Sequence, residues 1–230
     1  MSSEATKQAT VIIPALNEEY GICLTLKEIM RLPNVREIIV VDGGSLDGTA
    51  EIAERTGARV LIEKNTGYGN AIYQGVKLLD SNVQYVVFTD ADFTYPAKFI
   101  PEMLKILEGN NDVGMVIGSR FKGKTFAESN IKPLSIANKV ISGALRTLHG
   151  IELDDPLSNF RVIRAGLLRE WKPKSKGFDI EVEINHYVER QGYRIVEIPI
   201  HYRPRIGEKK LSVKHGLSIL SRILRMELER

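Results

Sequence analysis

Asp90-Ala91-Asp92 sets two carboxylates one residue apart, after the apolar run Tyr85 to Phe88. In an extended chain alternate side chains share a face, so both acids are expected on one side. Two hard oxygen donors placed together suit Mg²⁺ or Mn²⁺ and leave the other coordination positions to substrate phosphates. A diphosphate leaving group requires such charge compensation. The same acids also read as caps for a helix beginning near Pro96. Asp42 to Thr49 (DGGSLDGT) ends a second apolar run, Ile38 to Val41. Its glycines let a ligand approach the backbone, and Asp42 is placed to accept from ribose hydroxyls or a base N–H. Asp47 reads as the cap of the following helix. Asn65 to Asn70 (NTGYGN) precedes a third helix, whose first amides, Gly69 among them, are expected to face phosphate or base.

Basic residues gather later in the sequence: Arg120, then Arg161 and Arg164 in DDPLSNFRVIR, then Arg203, Arg205, Lys209 and Lys210 in HYRPRIGEKKL. Such runs are often a solvated face. The arginine fork also matches phosphate, so these positions are where a second phosphorylated substrate is expected. The histidines, His149, His186, His201 and His215, are scattered and carry no assigned catalysis. The single cysteine, Cys23, sits in an apolar-periodic stretch and reads as a buried structural thiol. With 32 Lys and Arg against 29 Asp and Glu, the net charge of +3 is too mild to imply a nucleic-acid partner.

The elements that must position these groups alternate in type. Short β-branched runs at Thr10 to Pro14, Glu37 to Asp42, Arg59 to Ile62, Tyr85 to Asp90 and Val113 to Gly118 are separated by helical periodicity near 18–31, 47–55, 69–80 and 96–108. This pattern predicts an α/β fold with a Rossmann-like, mostly parallel sheet flanked by helices. Ligands in such folds lie beyond the carboxyl ends of the strands, which is where PALNEE, DGGSLD and DAD fall. Phe121 to Ser129 has the composition of a mobile flap, followed by helical patterns over Ile131 to Leu148 and 178–191 and an extended stretch from Arg194 to Tyr202.

Residues 211–230 predict an amphipathic helix, set apart from a catalytic unit over 1–210. That helix is expected either to pack on the protein's own core or to meet a membrane surface or a membrane-protein partner. No window is apolar enough for a membrane span, and the polar first residues lack a secretory pattern, so a cytoplasmic, peripheral location is the expectation.

Taken in order, VIIPALNEE, VVDGGSLDGT, NTGYGNAI, FTDADFTYP, GSRF, DDPLSNFR, KGFDIEVEI and IPIHYRPRIGEKKLS resemble the family 2 glycosyltransferases of the GT-A fold. Within that family the set resembles the dolichyl-phosphate mannose synthase and dolichyl-phosphate glucosyltransferase group, from about Thr10 to Leu211. The resemblance implies inverting transfer of a hexose from GDP-mannose or a UDP-sugar to a polyprenyl (dolichyl) phosphate. It also implies that Pro14, Ala15, Asn17, Glu18 and Asp42 hold the nucleotide, and that Asp90, Ala91 and Asp92 border the donor, the two acids binding the metal. Arg120 would contact phosphate, Ser158 and Arg161 would meet the acceptor phosphate, and Arg203 and Lys210 would lie at the active site. The chain differs from the mannose synthases in having Asp42-Gly43 where two acids are usual, and Thr94 where a Gln ligand follows the metal acids.

A polyprenyl phosphate is already an anion at neutral pH and needs no general base to attack an anomeric carbon. A hydroxyl acceptor on a soluble sugar or glycan would need one, and Asp154 and Asp155 are the candidates. A sugar nucleotidyltransferase, the third reading, should carry a Gly-rich basic signature after its first strand, where this chain has the acidic PALNEE.

Overall fold

The computed structural model describes residues 8–64, 66–122, 132–208 and 213–229. Strands β1 (Ala9–Ala15), β2 (Val35–Asp42), β3 (Arg59–Ile62) and β4 (Tyr85–Phe88) alternate with helices α1 (Glu19–Ile29), α2 (Thr49–Thr56) and α3 (Tyr68–Lys77). After α4 (Ile100–Gly109) come β5 (Val113–Ser119), α5 (Lys132–His149), β6 (Arg161–Arg164), α6 (Ala165–Leu168), α7 (Ile180–Arg190), β7 (Arg194–Pro199) and α8 (Val213–Leu228).

One seven-stranded sheet results, in the order β3-β2-β1-β4-β6-β5-β7. Pairings are parallel except at β6, which runs antiparallel to both β4 and β5. The sequence left β6 and α6 unassigned. A four-residue strand flanked by arginines, RVIR, has too few apolar positions to display a period.

Alternation along the strands divides the core. Val11, Ile13 and Val40 face the layer containing Leu26 of α1, Ala53 of α2 and Leu104 of α4. Ile12, Ile39 and Val41 face the layer of α3, α5, α7 and α8, represented by Ile72, Leu145, Val188 and Ile223. The amphipathic α8 therefore contributes Ile219, Ile223 and Met226 to the protein's own core, and its Arg222 pairs with Glu183 of α7 at 3.0 Å. Its opposite face exposes Leu217, Leu224 and Leu228. No helix among the described residues is long and apolar enough to cross a membrane.

The chain runs β1, β2, β3 outward on one side of β1 and then returns to place β4 on its other side. That reversal opens a crevice at the carboxyl ends of β1 and β4. Ala15 is in register with Asp42 and Ile12 with Phe88, so the loops carrying PALNEE, DGGSLD and DAD leave the sheet along one edge.

Candidate active site

β4 ends at Phe88, so Asp90 and Asp92 lie in the loop beyond it. The expected alternation along an extended strand is corrected accordingly. The chain bends over residues 91–93, with Phe93 at φ 65°, and the two acids lie close enough for the charge of Asp92 to act on Asp90. Helix α1 shapes that bend. The Thr25 hydroxyl donates to the Ala91 carbonyl (3.2 Å) and accepts from the Phe93 N–H (3.1 Å). Gly21 lets the helix come this close, since a Cβ there would lie 2.7 Å from the Ala91 oxygen and 2.8 Å from the Asp92 Cα.

Asp92 is 1% exposed, and its Oδ1 accepts from both the N–H (3.1 Å) and the hydroxyl (2.6 Å) of Thr94. Thr94 thus orients Asp92, at the position where the mannose synthases have Gln. Asp92 Oδ2 pairs with Arg205. Asp90 is half-buried, and its Oδ1 accepts from the Asn159 side chain at 2.8 Å. Burial first, and the charge of Asp92 second, push the Asp90 carboxyl up to about 7. Two crowded carboxylates of this kind resist sharing full negative charge, and a cation relieves them. Among the described residues no cluster of three or more His, Cys, Asp or Glu side chains is arranged to hold a metal. The pair therefore fits a Mg²⁺ or Mn²⁺ that takes its remaining ligands from substrate phosphate and water.

Around the first two strands the polar groups build loops. Asp42 accepts from Gly44 N–H (2.9 Å), Ser45 N–H (2.7 Å) and the Ser45 hydroxyl (2.5 Å), holding the DGGS turn. Asn17, at φ 50°, receives the Leu46 N–H on its side-chain oxygen at 2.8 Å and donates its own N–H to Ser45 Oγ at 2.8 Å. Glu18 donates its N–H to Thr49 Oγ1 (2.7 Å), and its carboxylate meets Arg205. The Ala15 carbonyl accepts from Gly43 N–H at 2.8 Å, and Pro14 stands in register with Val41. Gly48 rather than Asp47 holds the N-cap position of α2; Asp47, one residue earlier, accepts from the Thr49 N–H at the start of α2 (3.0 Å) and from the Glu19 N–H at the start of α1 (3.2 Å). Burial opposes its charge, yet these hydrogen bonds hold Asp47 below the usual carboxylate range.

Gly69 requires a correction. Its N–H donates to the Lys176 carbonyl at 2.8 Å, as the Asn70 N–H does at 3.3 Å, so these amides do not face a phosphate. The glycine is needed for packing: a Cβ would lie 2.7 Å from the Gly177 oxygen. Asn65 lies outside the described residues, as do residues 123–129 of the expected flap and Lys210.

The basic residues divide into two sets. Arg161 is 0% exposed; it pairs with Glu181 at 2.5 Å, donates to Asn185 Oδ1 at 3.0 Å and caps the Ser158 carbonyl. Ser158, equally buried, donates its hydroxyl to the Gly118 carbonyl at 2.7 Å. Both side chains are buried in internal contacts at the positions where the resemblance implied an acceptor phosphate. Arg120 closes its fork on Asp155 at 2.7 and 2.8 Å, and Tyr202 lies under its guanidinium. Burial disfavours its charge, but Asp155 more than offsets this and raises the Arg120 pKa. At the position where the resemblance implied a phosphate contact, Arg120 makes an internal ion pair.

Arg203 forks onto Glu28 at 2.7 and 3.0 Å and stacks on Phe93 at 4.1 Å, fastening the 203–207 segment to α1. Arg205, noticed in the sequence only as one of a run, pairs with both Asp92 and Glu18. Glu181 and Tyr68 were missed: the Tyr68 hydroxyl donates to Glu181 at 2.8 Å just behind Asp90, and burial raises the pKa of both groups. Glu181 lies within KGFDIEVEI, but local pattern gives no sign that its carboxylate meets Arg161 from 20 residues away.

Residues 10–171 match the profile of Glycosyl transferase family 2. A dolichyl-phosphate hexose transferase of Haloferax volcanii is 34% identical over 223 residues, 95% of this chain and 93% of that protein. Glycosyltransferase AglJ of the same organism is 31% identical over 198 residues, 85% of this chain and 63% of that protein. Among solved structures, glucosyl-3-phosphoglycerate synthase of Mycobacterium tuberculosis in complex with UDP superposes with a TM-score of 0.75 at 24% identity, covering 97% of this chain and 81% of that one. The same enzyme with Mn²⁺, UDP-glucose and phosphoglyceric acid gives a TM-score of 0.73 at 23% identity, with coverage of 97% and 81%. At these identities the structural likeness bears on the fold.

Proposed function

The chain belongs to glycosyl transferase family 2, with the GT-A fold, and on that premise we propose that it moves a hexose from a nucleotide-sugar to a polyprenyl phosphate, with inversion. The observation that carries the reading is the Asp90–Asp92 pair beside the β1–β4 crevice, one acid raised to about 7 by burial and the other's charge. Asp90 and Asp92 would hold a divalent metal, whose chemistry is to neutralise the diphosphate as it leaves. The mycobacterial relatives in the GT-A fold bind UDP with Mn²⁺ or Mg²⁺, which supports the same cofactor here. The loops fixed by Asn17, Glu18 and Asp42 would cradle the nucleotide.

The acceptor is read from the proton chemistry. Of the two acids that could serve a hydroxyl acceptor as base, Asp155 is 0% exposed and locked to Arg120, and exposed Asp154 pairs with Lys122 at 3.3 Å. A phosphate acceptor needs neither, and rate then comes from positioning two anions near their counter-charges. The Haloferax dolichyl-phosphate hexose transferase supports this class. With Arg120, Arg161 and Arg203 paired internally, Arg205, whose partners are acids of the donor edge, is the cation placed to exchange them for phosphate.

In this reading residues 1–210 are the catalytic unit, and 211–230 help to rest it on a lipid surface. Leu217, Leu224 and Leu228 of α8, with Ile136 and Val140 of α5, form the exposed apolar positions that would do so. The test is calorimetric titration with GDP-mannose, UDP-glucose and UDP-N-acetylglucosamine, with and without Mn²⁺, followed by transfer assays onto polyprenyl phosphate and onto phosphoglycerate. Metal-dependent binding of one donor and transfer to the lipid are expected. Transfer to phosphoglycerate alone would refute the acceptor, and no donor binding would refute the activity.

A further inference from the structure

Arg205 spends both terminal nitrogens on acids of the donor edge, Nη1 on Asp92 and Nη2 on Glu18. Those acids belong to different loops, one after β1 and one after β4, so a single guanidinium ties the two sides of the crevice. Its backbone is fastened independently. The Arg203 N–H donates to the Thr94 carbonyl at 2.9 Å and the Ile206 N–H to the Asp92 carbonyl at 3.3 Å. The side chain can therefore change partners while its segment stays docked.

Asp92 Oδ1 already accepts twice from Thr94, so Oδ2, the oxygen on Arg205, is the one a metal would take. A guanidinium and a divalent cation compete for that atom. Glu18 and Asp92 share Arg205, and Asp90 lies within reach of the charges of both Asp92 and Arg205, so in the resting protein Arg205 is a positive charge set among acids. An incoming diphosphate changes the competition, because it offers the arginine fork a second, bidentate anion.

Resting on the metal-dependent transferase reading, we propose that Arg205 is an internal counter-ion that holds Asp92 until a nucleoside diphosphate arrives, so that the metal enters with the donor rather than ahead of it. Arg205 is thus a positioning residue that sets the order of binding. The metal alone meets an occupied ligand; the metal together with a diphosphate meets a ligand that has been released.

The experiment is Mn²⁺ titration followed by electron paramagnetic resonance on the full chain, with and without UDP or GDP, for the wild type, Arg205→Gln, Arg205→Lys and Asp92→Asn. Arg205→Gln is expected to bind Mn²⁺ alone at least about tenfold more tightly than wild type, the size of one close charge pair. Its affinity should gain correspondingly less from added nucleotide, since the coupling is reciprocal. Arg205→Lys keeps the charge but cannot span both acids. It should fall between the two, and it carries the test if the Gln variant does not fold. Mn²⁺ affinity without nucleotide that is unchanged or weaker in both arginine variants would overturn the proposal. Asp92→Asn separates the two ideas: its loss of Mn²⁺ binding supports the metal site, whereas wild-type binding refutes that site itself.

Discussion

Before residue 100, charged side chains at strand ends hold loops in place and keep carboxylates beside the crevice, as Asp42, Glu18, Asp90 and Asp92 do. After residue 113 they close on each other in the interior, Arg120 on Asp155 and Arg161 on Glu181. The first half spends hydrogen bonds to shape a site, and the second spends ion pairs to hold the antiparallel β6 and its neighbours together. A buried arginine demands a carboxylate because an unpaired charge in the interior costs several kcal/mol. Among the ion pairs of the described residues, those of Arg203 and Arg205 cross between the halves, each binding acids that precede residue 100. The lesson is that an arginine's place in a motif says little about its work until its partner is known.

The contrast can be broken at several points. On the catalytic side, Asp92→Asn should lower kcat on the order of a thousandfold with little change in melting temperature, since metal stabilisation of a leaving group is worth several kcal/mol; retained turnover with Mn²⁺ would erase the distinction. On the structural side, Arg161→Ala should destabilise folding by about 3–5 kcal/mol in a denaturant titration by stranding Glu181. Wild-type stability with a selective loss of acceptor use would return Arg161 to the site. Gly21→Ala should cost about 1–3 kcal/mol, because the added methyl must push α1 away from the Asp92 loop, and donor binding should weaken with it.

A finer test is pH. The Asp90 carboxyl is raised from 3.8 to about 7 in the folded protein, so between those values the native state binds more protons than the unfolded chain. Stability from this group is full below 3.8 and is lost as pH rises toward 7. Asp90→Asn should flatten that part of a stability–pH profile measured by denaturant titration; an unchanged slope would mean that the acids are not crowded. Smallest in stability is the double change Leu217→Ser and Leu224→Ser, expected to shift folding by less than about 0.5 kcal/mol while reducing sedimentation with anionic lipid vesicles. Unaltered vesicle binding would remove the lipid-facing role of α8.

Much of the architecture was legible in the sequence. Arg59 to Ile62 is a strand over the expected residues, and the other four expected strands and the expected helices appear with ends shifted by a few positions. The three polar loops do converge on one sheet edge. Asp47 bonds the first turn of α2 from one residue before the N-cap, Gly48. Gly69 was misread because a glycine needed for close packing against Lys176 and Gly177 looks, in sequence, like one that admits a ligand.

What the sequence determined by itself is what repeats locally: the alternation of β-branched runs and helical periods, and the turn chemistry at strand ends, both set by neighbours a few residues away. What only the tertiary structure decided is the pairing of charges, Arg120 with Asp155 across 35 residues and Arg205 with Glu18 across 187. A guanidinium binds whichever carboxylate the fold brings within reach, and that distance is fixed by the packing of the whole sheet rather than by any motif.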